Sequence, residues 1–301
     1  MRNVKYLIKR NVKLFFKDKG TFLTSLIAPL ILLFLFVTFL GNVYRESFRA
    51  VLPIGAEVDK KLLEGFVGGW LFSSLLAVCC VTVAFCSNMR MVEDKANGAR
   101  CDLDMTPVRP SELALGYYLS TVIVTLIICF CALGICMIYL SVVGWYLSVL
   151  DVLLAILDVI LLVMFGTALS SIVGYFLHTQ GQIAAVGSVV SSCYGFVSGA
   201  YMPISQFSAG LQDLISFLPG TYGTVLLRRH LMGGALAEME NDGFSPEFVD
   251  GMRDAFDNHL YFFEHRVTEA QMYAVLFTTV LVLIGIYVAI HWIRKKSADN
   301  A

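Results

Sequence analysis

Two carboxylates, Asp151 and Asp158, stand in an apolar run, where a charged group is hardest to accommodate. Because they are seven residues apart, they lie on one face of a helix. Intramembrane carboxylates are costly and are candidates for proton or cation transfer. Asp151 is near the end of its run and reaches water, whereas Asp158 is deeper. A relay would need a base beside Asp158, and the predicted spans are not expected to supply one, so we favour a hydrogen-bonded structural aspartate.

Enzyme motifs are absent from the sequence. It contains neither a GxxxxGK[ST] phosphate-binding loop nor an HExxH zinc motif, so the chain is not expected to bind ATP in that way. His230, His259 and His265 have no metal-ligand spacing, and seven of the eight cysteines lie in apolar runs without a CxxC pair. We therefore predict no catalytic residue, no metal site, no disulfide framework and no cofactor within this chain.

The composition indicates a membrane protein that crosses the bilayer several times. Hydrophobic residues make up 57% of the 301 residues and charged residues only 15%, against about 25% charged in soluble domains. Several apolar runs reach the roughly 20 residues that a spanning helix needs. We predict one all-α integral membrane domain over residues 1–301, with spans at about 21–41, 62–87, 113–140, 148–176, 182–201 and 270–293.

The distribution of positive charge predicts the orientation. Residues 1–20 form a basic helix with one apolar side, suited to the membrane interface; a solvated basic tail is the alternative. Fourteen of the 22 Lys and Arg residues lie in this helix (seven), in residues 88–112 (four) and in the C-terminal tail (three). The positive-inside rule then places both termini and residues 88–112 in the cytoplasm.

The longest segment between spans, residues 202–269, is therefore expected outside. Its first half is apolar but interrupted by Gly210, Pro219, Gly220 and Gly223, so we expect two short helices that dip into the membrane or lie on it. Its second half, 234–269, is rich in Asp and Glu; we call it the acidic segment.

Small residues recur every four positions in the fifth span, at Gly187, Ser191, Gly195 and Gly199. Such a stripe allows another helix backbone to approach closely. It is typical both of a subunit interface or pathway wall and of ordinary packing inside one bundle, and the sequence does not separate these alternatives.

Residues 88–112, which we call the charged loop, complete a recognisable pattern. The loop holds Glu93, Gly98 and Leu103 followed by Thr106-Pro107, and the pairs Thr106-Pro107 and Ser111-Glu112 are candidate helix starts. Further along, the sequence reads 198-SGAYMP-203, then 218-LPGTY-222 and Leu227-Arg228. Together with the basic N-terminal helix and six spans, this arrangement resembles the bacterial ABC exporter permeases of the type-2 family.

The resemblance implies how such a chain works. The charged loop would form a coupling helix that docks on a separate ABC ATPase subunit, which binds ATP and Mg²⁺. Two permease chains, alike or different, would face each other in the lipid bilayer of the bacterial plasma membrane and form the pathway between them. The expected cargo is a drug, an antimicrobial peptide or another amphiphile, with no nucleic acid involved. The expected coupling residues are Glu93, Asp94, Gly98, Arg100, Leu103, Thr106 and Pro107.

Two other functions compete with this one. An ion channel or secondary transporter without an ATPase would use Asp158, and a membrane scaffold or sensor would use the acidic segment as its receptor. Without the wider pattern, the charged loop itself would be interpreted as a solvated connection that fixes topology.

Overall fold

The computed structural model describes residues 2–52, 58–263 and 265–299, and within them the chain is helical almost throughout. Residues 53–57, in the connection after the first span, lie outside the described residues. The elements are α1 (Arg2–Lys17), α2 (Lys19–Leu35), a π-helical segment (Phe36–Leu40), α3 (Gly41–Val51), α4 (Lys60–Ser87), α5 (Met89–Ala96), α6 (Ala99–Asp104), α7 (Pro110–Val143), α8 (Val149–Phe176), α9 (Gln180–Val197), a 3₁₀ turn (Ile204–Gln206), α10 (Ala209–Ser216), α11 (Pro219–Asn241), α12 (Pro246–Ala255), β1 (Tyr261–Phe262), β2 (His265–Arg266) and α13 (Glu269–Asp299).

This architecture confirms an all-α integral membrane protein. Five stretches among the described residues are long and apolar enough to cross a bilayer: Lys19–Val51, Lys60–Ala96, Pro110–Val143, Val149–Phe176 and Glu269–Ile293. The predicted fifth span corresponds to α9, which has 18 residues and polar side chains on several sides, and it is not among the five. The six-span count and the orientation therefore stay predictions.

Helix α4 is the centre of the bundle. It is apolar on all sides, as a helix must be to pack on every side, and it contacts α2, α7, α8, α9 and α11. Trp70 and Leu76 are completely buried. Two glycines permit close approach: a Cβ on Gly69 would lie 2.4 Å from the Leu231 carbonyl oxygen, and one on Gly166 would lie 2.9 Å from that of Cys80. Larger residues would push α11 and α8 away from α4.

Helix α11 differs from the expectation of two short helices before the last span. One of them, α10, is short, but α11 runs over 23 residues and is buried against α4, α8 and α13. Pro219 occupies the start of α11, where its missing N–H costs nothing. Gly223 lies where a Cβ would be 2.4 Å from the Leu162 side chain. Pro219 thus begins the helix and Gly223 permits a close packing contact, whereas the sequence pattern predicts that they interrupt a helix.

The first predicted span extends further than expected. Helix α2 continues through Pro29, and the π-helical segment joins it without a break to α3, which ends at Val51. Tyr44 and Phe48 of α3 are buried, and Arg45 pairs with Glu64 of α4 at 2.7 Å. The polar residues after Gly41 thus continue the helix instead of forming a loop.

Candidate coupling site and pathway

The charged loop folds into two short helices. Helix α5 ends at Ala96 and α6 covers Ala99–Asp104, with Gly98 between them at φ 76°, a conformation that favours glycine. The Thr106 hydroxyl donates to the Leu103 carbonyl at 2.6 Å and closes the end of α6. A short helix, α6, thus precedes Thr106 and is separated from α5 by Gly98. The prediction that Thr106-Pro107 starts a helix is wrong, because α7 begins at Pro110.

The two adjacent acids of the loop, Glu93 and Asp94, point into the protein and are buried. Asp94 accepts hydrogen bonds from the Arg10 guanidinium at 2.7 and 3.1 Å and from the Tyr117 hydroxyl at 2.7 Å. Glu93 pairs with Arg90 at 2.7 Å. The Asp94 carboxylate therefore fastens α5 to α1 and α7, whereas the Glu93–Arg90 pair lies within α5. Because both are buried, neither is placed for direct contact with a soluble partner.

Further attachments of α5 have no signal in the sequence. Lys95 donates to the carbonyls of Gly174, Tyr175 and Leu177 at 2.9, 2.6 and 3.2 Å, which are free because they end helix α8. The Tyr287 hydroxyl of α13 donates to the Met91 sulfur at 3.3 Å. Helix α5 is thus joined to α1, α7, α8 and α13.

Beyond this anchored part, the loop is exposed. We call residues 101–107 the coupling tip. Met105 is 90% exposed, and Thr106 and Pro107 are also exposed, whereas Leu103 is half-buried. Arg100 pairs with Asp104 at 3.1 Å and lies over the Tyr117 ring, 6.0 Å from its centroid. Of the predicted coupling residues, Gly98, Thr106 and Pro107 are exposed. Arg100 and Leu103 are half-buried and support the exposed residues.

A long apolar groove of about 700 Å³ opens between the first spanning helix and α9, with α4 as its floor. Its polar groups are few and include Ser191 and Gln206. The Tyr44 hydroxyl donates to the Tyr201 carbonyl at 3.1 Å and links its two walls. The lining residues are Ile31, Leu32, Leu35, Phe36, Phe39, Leu40, Val43, Tyr44, Ser47, Val78, Thr82, Ser191, Ser192, Phe196, Tyr201, Met202 and Gln206.

The small-residue stripe of the fifth span does not act as one surface. Gly187 has open space around it, and Ser191 lines the groove. Gly195 lies beneath the Tyr201 ring, where a Cβ would be 2.2 Å from the ring. Gly199 follows the end of α9 at φ 71°. Of the stripe, Ser191 thus borders the groove, whereas Gly195 and Gly199 serve packing and helix termination within the chain.

Asp158 has a basic partner after all. Its carboxylate lies 2.6 Å from His230 Nδ1 and accepts from the Tyr273 hydroxyl at 2.7 Å, and the aspartate is completely buried. Glu269 lies 3.4 Å from His230 Nε2. The expectation that no base lies beside Asp158 is wrong. It assumes that the segment containing His230 lies outside the membrane, whereas α11 brings His230 into the bundle. A histidine within an otherwise buried helix was the available signal.

A second buried ion pair joins α11 to the acidic segment. Arg228 is completely buried and pairs with Asp257 at 3.0 Å, donates to Ser74 Oγ at 3.2 Å and to the Gly199 carbonyl, and lies 4.9 Å from the Trp70 ring centroid. Asp257 also accepts from the Ile204 backbone N–H at 2.5 Å. Buried charges require such partners. This pair fixes the end of α9 and the 3₁₀ turn to the centre of the bundle.

Asp250, Asp254 and His259 of the acidic segment place ligand atoms within 4.8 Å of one another. Asp254 and His259 already have hydrogen-bond partners, and Asp250 lies 3.8–3.9 Å from Arg253, His259 and Arg266. His259 Nδ1 lies 2.8 Å from Asp254, Arg266 contacts His259 Nε2, and Tyr261 donates to Asp254 at 2.9 Å. With the Arg266 guanidinium against the imidazole, this is a network of ion pairs and not an arrangement suited to a cation.

Comparison with known families gives one match. The family model described as ABC-2 type transporter matches residues 2–232, which include the charged loop, the groove and Arg228 but leave the acidic segment and α13 outside. No curated protein matches the chain.

Proposed function

Because the chain belongs to the ABC-2 type transporter family and is a membrane-embedded permease subunit, we propose that it forms the pathway of an ATP-driven exporter. A separate ATPase subunit binds ATP and Mg²⁺ and docks on the coupling tip. The clustering of Lys and Arg in residues 1–20, the charged loop and the C-terminal tail supports a cytoplasmic position for the tip and both termini. The membrane proposed is the bacterial plasma membrane, as the resemblance to bacterial exporters implies.

The observation that carries this proposal is the contrast between the exposed tip and its anchored base. Met105 and its neighbours are free to contact a partner, while α5 is held by ion pairs and hydrogen bonds to helices from four parts of the sequence. A rigidly attached element transmits a displacement instead of absorbing it. Movement of a docked ATPase would therefore pass through α5 to α1, α7, α8 and α13 together.

The groove supports a pathway shared with a second permease chain. Its walls, the first spanning helix and α9, carry exposed apolar side chains such as Phe34, Phe39, Val189 and Phe196. A second copy, or a homologous chain, that faces this groove would enclose an apolar path with a few hydroxyl groups. Such a lining favours an amphiphilic cargo, for example a drug or an antimicrobial peptide.

The test is co-purification of a nucleotide-binding subunit from native membranes, with wild-type chain and two single variants. Met105→Glu places a charge on the coupling tip and is expected to abolish recovery of the ATPase. Glu247→Lys changes an exposed charge on α12 and is the matched control, expected to recover as much ATPase as wild type. If no nucleotide-binding protein is recovered with the wild-type chain in repeated experiments, the proposed ATPase subunit has no support and the proposal is overturned.

One observation favours the competing function without an ATPase. The buried Asp158–His230 pair, with Glu269 nearby, is a protonatable group in the helix bundle. If it carries ions, Asp158→Asn will abolish an ion flux that proteoliposomes of the chain alone show without ATP. If such vesicles show no flux with the wild-type chain, that alternative fails.

A further inference from the structure

A second cleft, of about 500 Å³, lies at the start of α13. It is bounded by the end of α10, the start of α11, the β1–β2 hairpin and α13. The charged loop is at the other end of α13, where Tyr287 contacts Met91. The cleft therefore lies at the end of the bundle opposite the coupling tip. Its lining residues are Phe217, Tyr222, Phe262, His265, Arg266, Val267, Gln271 and Val275.

Aromatic rings form the exposed side of this cleft. Phe217 of the α10–α11 connection packs against Phe262 and Phe263 of the hairpin, with ring centroids 5.0 and 5.9 Å apart. Phe217 and Phe263 nevertheless remain 60% and 54% exposed. Phe263 also has φ 53°, a conformation that is unfavourable for a bulky residue. These exposed apolar rings lie at the start of a spanning helix, where they would be covered by lipid.

A cationic group lies at the rim of the same cleft. The Arg266 side chain is 46% exposed; it contacts His259 and lies 3.9 Å from Asp250. A guanidinium has five N–H donors, so these contacts leave donors available. Arginine donates to phosphate oxygens in paired, charge-assisted hydrogen bonds. His265 lies beside it on the rim.

We propose that this cleft binds a phospholipid of the membrane, with an acyl chain along Phe217, Phe262 and Val275 and the phosphate at Arg266. The volume lies within the range of about 300–1,000 Å³ of small-molecule sites. The cleft follows α13 down to Val275, two turns into a spanning helix, which is the level of lipid. Because most of the cleft lining is apolar and only an acyl chain would cover it, a phospholipid fits better than free phosphate.

This site goes beyond the proposed transport function. The hairpin and α13 lie after residue 232, where the family match ends. Binding of a lipid here depends on neither an ATPase nor a cargo. It would assign a role to the acidic segment: the segment holds the hairpin against α10 and fastens this corner of the permease to the leaflet.

The test uses the full-length chain in phosphatidylcholine nanodiscs that contain a trace of phosphatidylglycerol with a diazirine on one acyl chain. After irradiation, labelled peptides are quantified by mass spectrometry, and diazirine-labelled diacylglycerol is the probe without phosphate. We expect the phospholipid to label residues of the cleft. Arg266→Gln should lower this labelling about tenfold, the equivalent of one charge-assisted hydrogen-bonded contact, and leave diacylglycerol labelling unchanged. Val275→Trp, which fills the apolar part, should lower labelling by both probes.

Arg253→Gln is the matched control, because Arg253 pairs with Glu240 on the same segment but does not line the cleft. It should label as wild type does. Variants are compared only as single, homogeneous species in gel filtration, and Arg266→Lys, which retains the charge, should regain part of the labelling. Equal labelling by both probes, or no effect of Arg266→Gln, would overturn the site. Full competition by soluble glycerol phosphate would show that free phosphate, not lipid, is the ligand.

Discussion

Arg10 and Asp94 meet in an ion pair of 2.7 Å that joins the N-terminal helix to the charged loop, although 84 residues separate them. The Asp94 side chain is almost completely buried, whereas that of Arg10 is one-third exposed. Tyr117 donates to the same carboxylate from α7. The Asp94 carboxylate thus holds α1, α5 and α7 together.

Removing the arginine tests how much they depend on it. Arg10→Gln leaves Asp94 buried with Tyr117 alone and is expected to destabilise the chain by about 1–3 kcal/mol. Thermal unfolding of the detergent-solubilised chain measures this. Lys9→Gln removes an exposed charge from the same helix and should leave the midpoint unchanged. Equal midpoints for the two variants would show that the pair contributes nothing.

Charge reversal at Glu93 is expected to uncouple ATP hydrolysis from export while the chain still inserts in the membrane. The structural reason is that Lys at this position would face Arg90, now 2.7 Å from the carboxylate, in a buried site. Two cations would then meet inside α5, beside the contact of Arg90 with Asp18, and would displace α5 and the coupling tip that follows it. Export and ATP hydrolysis in reconstituted vesicles are measured together. Unchanged export by Glu93→Lys would contradict the assignment.

The buried triad of Asp158, His230 and Tyr273 predicts unequal effects. Tyr273→Phe removes one hydrogen bond and should cost about 0.5–1.5 kcal/mol. His230→Leu leaves a buried carboxylate without its ionic partner and should cost about 3–5 kcal/mol. The double variant Asp158→Asn, His230→Leu should recover part of that loss. Thermal unfolding of all variants supplies the comparison, and strict additivity would show that the two residues do not interact.

Gly195→Leu is expected to disturb the end of α9, since its side chain would occupy the position of the Tyr201 ring. Tyr201→Ala in the same chain should relieve part of the effect. Gly187→Ala, which enters open space, is the control. The yield of folded protein and of the dimer in detergent is measured. Normal yields with Gly195→Leu would be incompatible with the close contact.

Acidification should loosen the acidic segment. Burial lowers the pKa of His259 below its ordinary value near 6.5, and its hydrogen bond to Asp254 opposes this only in part. The ring is surrounded by Asp250, by Arg266 and by Asp254, which also accepts a hydrogen bond from the Tyr261 hydroxyl. The unfolded chain thus binds the proton more readily, so stability is lost as pH falls through that region.

The measurement is thermal unfolding of wild type and His259→Gln between about pH 7.5 and 5.5, the interval in which an ordinary histidine titrates. The wild-type midpoint should fall relative to that of the variant as pH decreases. Parallel curves would show that His259 does not titrate differently in the folded and unfolded chains.

The elements that sequence patterns predict best are those that depend on apolar length. The stretches around α4, α7, α8 and α13 agree with their predicted ranges within a few residues, because about 20 apolar residues leave few alternatives. The sequence pattern does not predict helix α11, because Pro219, Gly220 and Gly223 locally favour an interruption of a helix. Their actual roles, a helix start and close contacts with α8 and α9, depend on neighbours distant in sequence.

The same reason limits the candidate site. The charged loop and the exposure of Thr106 and Pro107 agree with expectation, since a short charged segment between apolar runs is necessarily at the surface. The inward direction of Glu93 and Asp94 was not predictable, because it depends on Arg10 and Tyr117 from other helices. Likewise, the partner of Asp158 is not predictable from local sequence, because His230 reaches it only when α11 packs inside the bundle.

The π-helical segment Phe36–Leu40 determines which face of α3 meets α4. A π turn holds one residue more than an α turn, and each residue turns a helix by about 100°. If that extra residue were absent, α3 would rotate by this angle relative to α2. Tyr44 and Phe48 would leave the core, and Arg45 would no longer reach Glu64. A single surplus residue in the first membrane helix thus sets the rotational phase of everything that follows it in that helix.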